Sequence, residues 1–135
     1  MADVRIISNR DEVLRRTKDA IMVGLEAVGL QAEGDAKFLC AVDTGLLRNS
    51  ITHGTSGEPI NHSYSDDAGE QSGNISTVIG TADDKEVYIG TNVEYAPYVE
   101  YGTSRTQAQP FLRRAFEENK ETYAKIIAKA LKGIE

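Results

Sequence analysis

Residues 75–91 read I-S-T-V-I-G-T-A-D-D-K-E-V-Y-I-G-T. Two runs rich in β-branched and aromatic residues, 75–81 and 86–91, flank the polar tetrapeptide A-D-D-K. That arrangement predicts an antiparallel hairpin closed by a short loop. A period of two puts Val87 and Ile89 on one face and Tyr88 on the other. The neighbouring segments must supply what such a small sheet packs against.

Downstream lies V-E-Y-A-P-Y-V-E-Y-G-T, 93–103, with three of the chain's six tyrosines. Tyr95, Tyr98 and Tyr101 step by three, and Val99 lies four beyond Tyr95. A helical turn over 95–101 would place them on one face, as a hydrophobic lid. The polar loop 103–109 follows. Pro110 then suits the first turn of a helix. Leu112, Ala115, Phe116, Asn119, Tyr123, Ile126, Ile127, Ala130 and Leu131 carry a helical stripe to the end. Lys125, Lys129 and Lys132 sit where positive charge favours the helix dipole.

Upstream, residues 52–74 are rich in glycine, serine and acid. They predict a long flexible loop, with a weak hairpin around Ile60 to Tyr64. Before it, A-V-D-T-G-L-L-R-N-S-I, 41–51, predicts a short turn capped by Asp43 or Thr44, with Leu46, Leu47 and Ile51 facing the core. Ser8 or Asn9, with Glu12 at capping-box spacing, predicts the start of a first helix. Its stripe is Leu14, Ile21, Leu25, Val28, Ala32 and Leu39. Gly24, Gly29 and Gly34 each cost about 1 kcal/mol of helix propensity relative to alanine. A bend near Gly29 is one way such a helix would respond. The fold class expected is α+β: two long helices, N- and C-terminal, packed on a small antiparallel sheet, with one long flexible loop and a single domain over 1–135.

The chain has 135 residues and a formal charge of −6, with 40% hydrophobic and 27% charged residues. These values suit a globular core of ordinary domain size. The acidic balance argues against a protein that grips nucleic acid, because that relies on lysine and arginine neutralising phosphates. Cys40 is the only cysteine, which rules out an intrachain disulfide and a cysteine-based zinc cluster, and fits a reducing cytoplasm. No apolar run predicts a signal peptide or a membrane span.

Asp43-Thr44-Gly45 matches the D-T-G signature of aspartic proteases. One copy in a short chain would imply a dimeric, retroviral-type enzyme in which two carboxylates share one proton. The preceding A-K-F-L-C-A-V would have to be the strand that delivers the acid. The following L-L-R-N-S-I departs from that pattern, and capping is the commoner use of such an aspartate. His53 and His62 are expected as solvated residues of the flexible loop, with no zinc spacing around them. Gly80-Thr81 and Gly90-Thr91 lack a G-x-G-x-x-G context or a P-loop lysine, and no G-x-S-x-G elbow occurs. The expectation is therefore no catalytic residue, no metal and no cofactor.

V-D-T-G-L-L-R-N-S-I at 42–51, V-Y-I-G-T-N-V-E-Y-A-P-Y-V-E-Y-G-T-S at 87–104 and Q-P-F-L-R-R-A-F at 109–116 occur in that order. This set closely resembles the small neck or tail-completion proteins, often described as phage tail components, of long-tailed double-stranded DNA phages. Arg114 stands where proline is frequent in that family, and the 52–74 loop is long and idiosyncratic, so nothing carries over to it from the family. The resemblance implies a non-enzymatic virion structural protein of the head–tail joining module. Its partners would be other copies of itself and neighbouring connector, portal-side, tail-tube or tail-terminator proteins. DNA would pass nearby without specific binding, and no membrane is involved. The protein would assemble in the host cytoplasm and end in the neck or tail of the virion. The residues expected at partner or subunit contacts are Tyr95, Tyr98, Tyr101, Arg105, Phe111 and Arg113.

Overall fold

The computed structural model describes residues 2–83 and 85–133, and the side chains of residues 12–83 and 85–133. The fold is α+β, as expected. The order is α1 (Ala2–Leu39), α2 (Leu46–Ser50), β1 (Thr52–Thr55), β2 (Pro59–Ser65), β3 (Ser72–Val78), β4 (Val87–Gly90), α3 (Ala96–Tyr101) and α4 (Phe111–Lys132).

The two long helices pack antiparallel along each other. Gly24 of α1 lies against Ile127 and Ala130 of α4, while Asp35 meets Tyr123, whose hydroxyl donates to its carboxylate at 2.7 Å. The first helix starts at Ala2, so Ser8 and Asn9 lie inside it rather than capping it. Of its predicted stripe, Val28 and Ala32 are buried, but Leu14 is 57% exposed. Among the described residues, burial begins only where α1 meets α4 and the sheets. Likewise Phe116 of α4 is exposed, while Ala115 and Tyr123 are buried.

The predicted pairing of 75–81 with 86–91 is wrong, although both runs contain strands. β3 pairs with β2, from Pro59↔Val78 to Ser65↔Ser72. β4 pairs with β1, from Thr52↔Gly90 to Thr55↔Val87. The four strands form two nested antiparallel pairs, β2–β3 inside β1–β4. The links between the pairs are joined by Gly57 N–H donating to Ile79 O at 2.8 Å and Ser56 N–H to Glu86 O at 3.0 Å. The A-D-D-K segment thus passes from one pair to the other instead of closing a hairpin. Asp84 within it lies outside the described residues.

The expected flexible loop is therefore mostly strand. In β2, Ile60, His62 and Tyr64 alternate with the more exposed Asn61 and Ser63, a period-two pattern. The turn is built by Asp66, whose buried carboxylate accepts the N–H groups of Glu70 and Gln71 at 2.7 and 3.1 Å. Gly69 supplies the positive φ of 74° there.

One cluster joins Ala36 of α1 and Cys40 just after it, Leu47 and Ile51, Val93 and Ala96, and Phe111 and Ala115 of α4. A second joins Val28, Ala32 and Tyr123, with Val87 and Ile89 of β4 against them. Gly24 and Gly29 of α1 serve close approach. A Cβ on Gly29 would lie 2.6 Å from the His53 ring and 2.7 Å from Val87, so the β1–β4 pair can sit on α1 only because that position lacks a side chain.

Candidate functional site

Ala36, Leu39 and Cys40 bury the end of α1, and the chain then turns through the loop 41–45. Gly45 has φ 87° and lies so close to the Asp67 carboxylate that a Cβ would come within 2.5 Å of it. Asp67 is held there by Arg48 and Asn49 and by its own N–H, which donates to Thr44 O at 2.9 Å. The β2–β3 turn thereby fixes the 44–49 segment. Gly45, not Asp43, occupies the N-cap of α2; Thr44 contributes its hydroxyl, which accepts from Leu46 N–H at 3.3 Å.

Opposite this loop stands α3. Tyr95 is its N-cap residue and Pro97 starts its first turn. Gly102 ends it with φ 77° in a space where a Cβ would meet Ala108 N at 2.7 Å. The following loop is braced: Thr103 Oγ1 accepts the N–H groups of Arg105 and Thr106, and Gln109 N–H donates to Val99 O at 2.7 Å. Glu100, buried, reaches the start of α4 and accepts the N–H groups of Leu112 and Arg113, each at 2.9 Å. It caps α4 from a different helix. Its second oxygen finds no partner among the described residues.

These three segments enclose a groove of about 370 Å³, between loop 41–45, the Tyr95–Tyr98–Val99 side of α3 and loop 103–109. Tyr95 is 41% exposed, Tyr98 62% and Tyr101 81%. Val42 beside them is also exposed. Tyr95 is anchored through the Leu47 backbone and the Thr44 hydroxyl. Burial pushes its phenol pKa up, helped by Cys40 and Asp43, against the downward pull of those two hydrogen bonds. It remains a neutral phenol at physiological pH. The groove thus offers neutral aromatic faces with hydroxyl and amide tips, the composition of a protein contact surface.

The predicted contact residues separate. Tyr95 and Tyr98 line the groove, whereas Tyr101 does not. Arg105 and Arg113 are exposed. Phe111 is 1% exposed, so it belongs to the core: the first residue of α4 must seal the junction with α1 and α2, and its ring cannot meet a partner. Asp43 is exposed, and A-K-F-L-C-A-V before it ends α1 instead of forming a strand. The buried strand-end acid that aspartic protease chemistry requires is missing.

A second polar cluster escaped the sequence reading. His53 is no loop residue but part of β1, 14% exposed, with Nε2 2.7 Å from Glu26 and Nδ1 3.1 Å from Glu33 of α1. Burial alone would lower its pKa, but the two carboxylates outweigh that and hold it above the usual value. Burial likewise favours a neutral Glu33, yet His53 and Lys37 together bring it below the usual range. His62, in β2, reaches the Asn49 carbonyl at 3.0 Å and stacks on Tyr64. The hydrogen bonds of His53 and His62 join strands to helices across more than a dozen residues, so no local motif announces them. Among the described residues no cluster of His, Cys, Asp or Glu is placed to hold a metal ion, and no helix is long and apolar enough to cross a membrane.

No curated protein and no solved structure matches the chain. Residues 5–102, more than half of the chain, match the family described as "Bacteriophage HK97-gp10, putative tail-component". The match covers α1 from residue 5 onward, both strand pairs and the two groove walls formed by loop 41–45 and α3. The chain belongs to this HK97-gp10-like family of phage tail components.

Proposed function

We propose that the chain, acting as one domain over 1–135, is a non-catalytic structural subunit of the phage neck or tail-completion complex. It assembles as, or docks onto, a ring around the DNA exit channel, in contact with portal-side, tail-tube or tail-terminator proteins. It does so in the host cytoplasm and remains in the finished virion. The observation that carries this reading is the groove beside α3. The three stretches that resemble tail-completion proteins meet at its walls and rim, and they present tyrosines and amides rather than an acid, base and nucleophile set. Tyrosine suits such a role because a large ring is buried while its hydroxyl stays hydrogen-bonded. The charge of −6 fits a protein that lets DNA pass, since a negative surface repels phosphate.

Light scattering of the purified protein, alone and mixed with the neighbouring neck and tail proteins, tests the proposal. Growth to a defined oligomer or complex is expected. A monomer that binds none of them overturns it.

A further inference from the structure

A cleft of about 700 Å³ separates α1 from β1 and the start of β2. Met22, Val23 and Glu26 line one side, and His53, Ile60 and His62 line the other. Across it the His53 ring meets α1 twice: Nε2 lies 2.7 Å from Glu26 Oε1, and Nδ1 lies 3.1 Å from Glu33 Oε1. Each ring nitrogen thus faces a carboxylate oxygen. Only the imidazolium carries a proton on both nitrogens. Both contacts are therefore hydrogen bonds only while His53 is charged.

The two carboxylates are not held alike. The Glu33 side chain is 18% exposed, and its other oxygen accepts from Lys37 at 3.1 Å. The Glu26 side chain is 60% exposed and has no other hydrogen bond or ion pair among the described residues. When the ring loses a proton, one carboxylate must face a nitrogen lone pair. Glu26 leaves at the lower cost, because water can solvate it and nothing else holds it. The ring itself stays seated over Gly29 and beside Val87. β4 faces it with Val87 and Ile89, which carry no charge. On the β2 side, Glu58 is exposed and His62 is turned to the Asn49 carbonyl.

We infer that His53 is a proton-operated latch on this cleft, with Glu26 as its moving arm. With the ring charged, Glu26 is drawn to Nε2 and closes the α1 wall onto β1. With the ring neutral, the remaining proton sits on Nδ1 toward Glu33, and Glu26 swings into solvent. The cleft then opens and gains a free carboxylate on the same side of the molecule as Glu58. Burial opposes the charged ring, but the two carboxylates outweigh it and keep His53 protonated to higher pH than usual. The latch is shut below that raised value and open above it.

NMR of the labelled full-length protein, titrated from pH 5.5 to 9, tests the latch. Imidazole nitrogen shifts report where the last proton sits, and the methyl groups of Met22 and Ile60 report on the cleft. The expected result is a neutral His53 with its proton on Nδ1, and methyl shifts that share the His53 midpoint. His53→Gln abolishes those methyl shifts. Glu26→Gln lowers the His53 midpoint and shrinks the methyl shifts, because its amide can accept from the charged ring and donate to the neutral one. A neutral ring protonated on Nε2 overturns Glu26 as the moving arm. A His53 titration that leaves both methyl groups unmoved overturns the latch, as do methyl shifts that persist in His53→Gln. Circular dichroism verifies folding of each variant.

Discussion

His53 stands between Glu26 and Glu33, so its charge ties β1 to α1. Its pKa is raised in the folded state. The stabilisation is therefore complete below its unfolded value of 6.5 and fades as pH rises through the higher folded value. Glu33 is lowered, so its share is present above 4.5 and fades as acid protonates it below that. The two together place the strongest cross-tie between those values. Urea denaturation at pH 5.5 and pH 8.5 should show a lower midpoint at the higher pH, and His53→Gln should flatten that difference. An unchanged difference in the variant would separate the effect from His53. Glu100 acts differently, as a buried acceptor for two N–H groups of α4. Glu100→Ala leaves both donors unpaired, and a loss of about 1–2 kcal/mol is expected in the same assay. Glu94→Ala, at an exposed neighbouring position, should cost little.

At the level of elements, α1 contains glycines of opposite consequence. Gly34 has open space around it, whereas Gly29 lies against His53 and Val87. Gly34→Ala should raise stability by about 0.5–1 kcal/mol through helix propensity alone. Gly29→Ala has the same propensity gain but must push β1 and β4 away, and a net loss of about 1–3 kcal/mol is expected. Thermal melts of the two variants check this: equal shifts would mean that the β1–β4 pair does not rest on Gly29. The same elements explain which parts of the fold were legible in the sequence. Both long helices and the short α3 follow from apolar spacing, Pro97 and Pro110, which are local signals. Ile75, Val78, Val87 and Ile89 mark strands correctly, but strand partners are chosen by register over long separations. β1 pairs across 35 residues or so, and T-H-G-T bears no local mark of it. The Asp66 turn was readable in principle from D-D-A-G, yet the surrounding serines and glycines hid the alternation of Ile60, His62 and Tyr64. For the groove, Tyr95 and Tyr98 were legible from their spacing. Phe111 was not, because the same apolar character marks a core residue and a contact residue.

For the whole molecule, α1 and α4 pack along each other, with the strand pairs against α1. The aromatic groove opens beyond the C-terminal end of α1. Membership of a phage tail-component family supports a place in the virion. The most direct test is quantitative mass spectrometry of purified tailed particles made by the phage that encodes the chain. The account predicts the protein in several copies per particle, retained with the neck or tail after the head is disrupted. Finding it only in the unassembled lysate, and absent from the particles, would contradict the account.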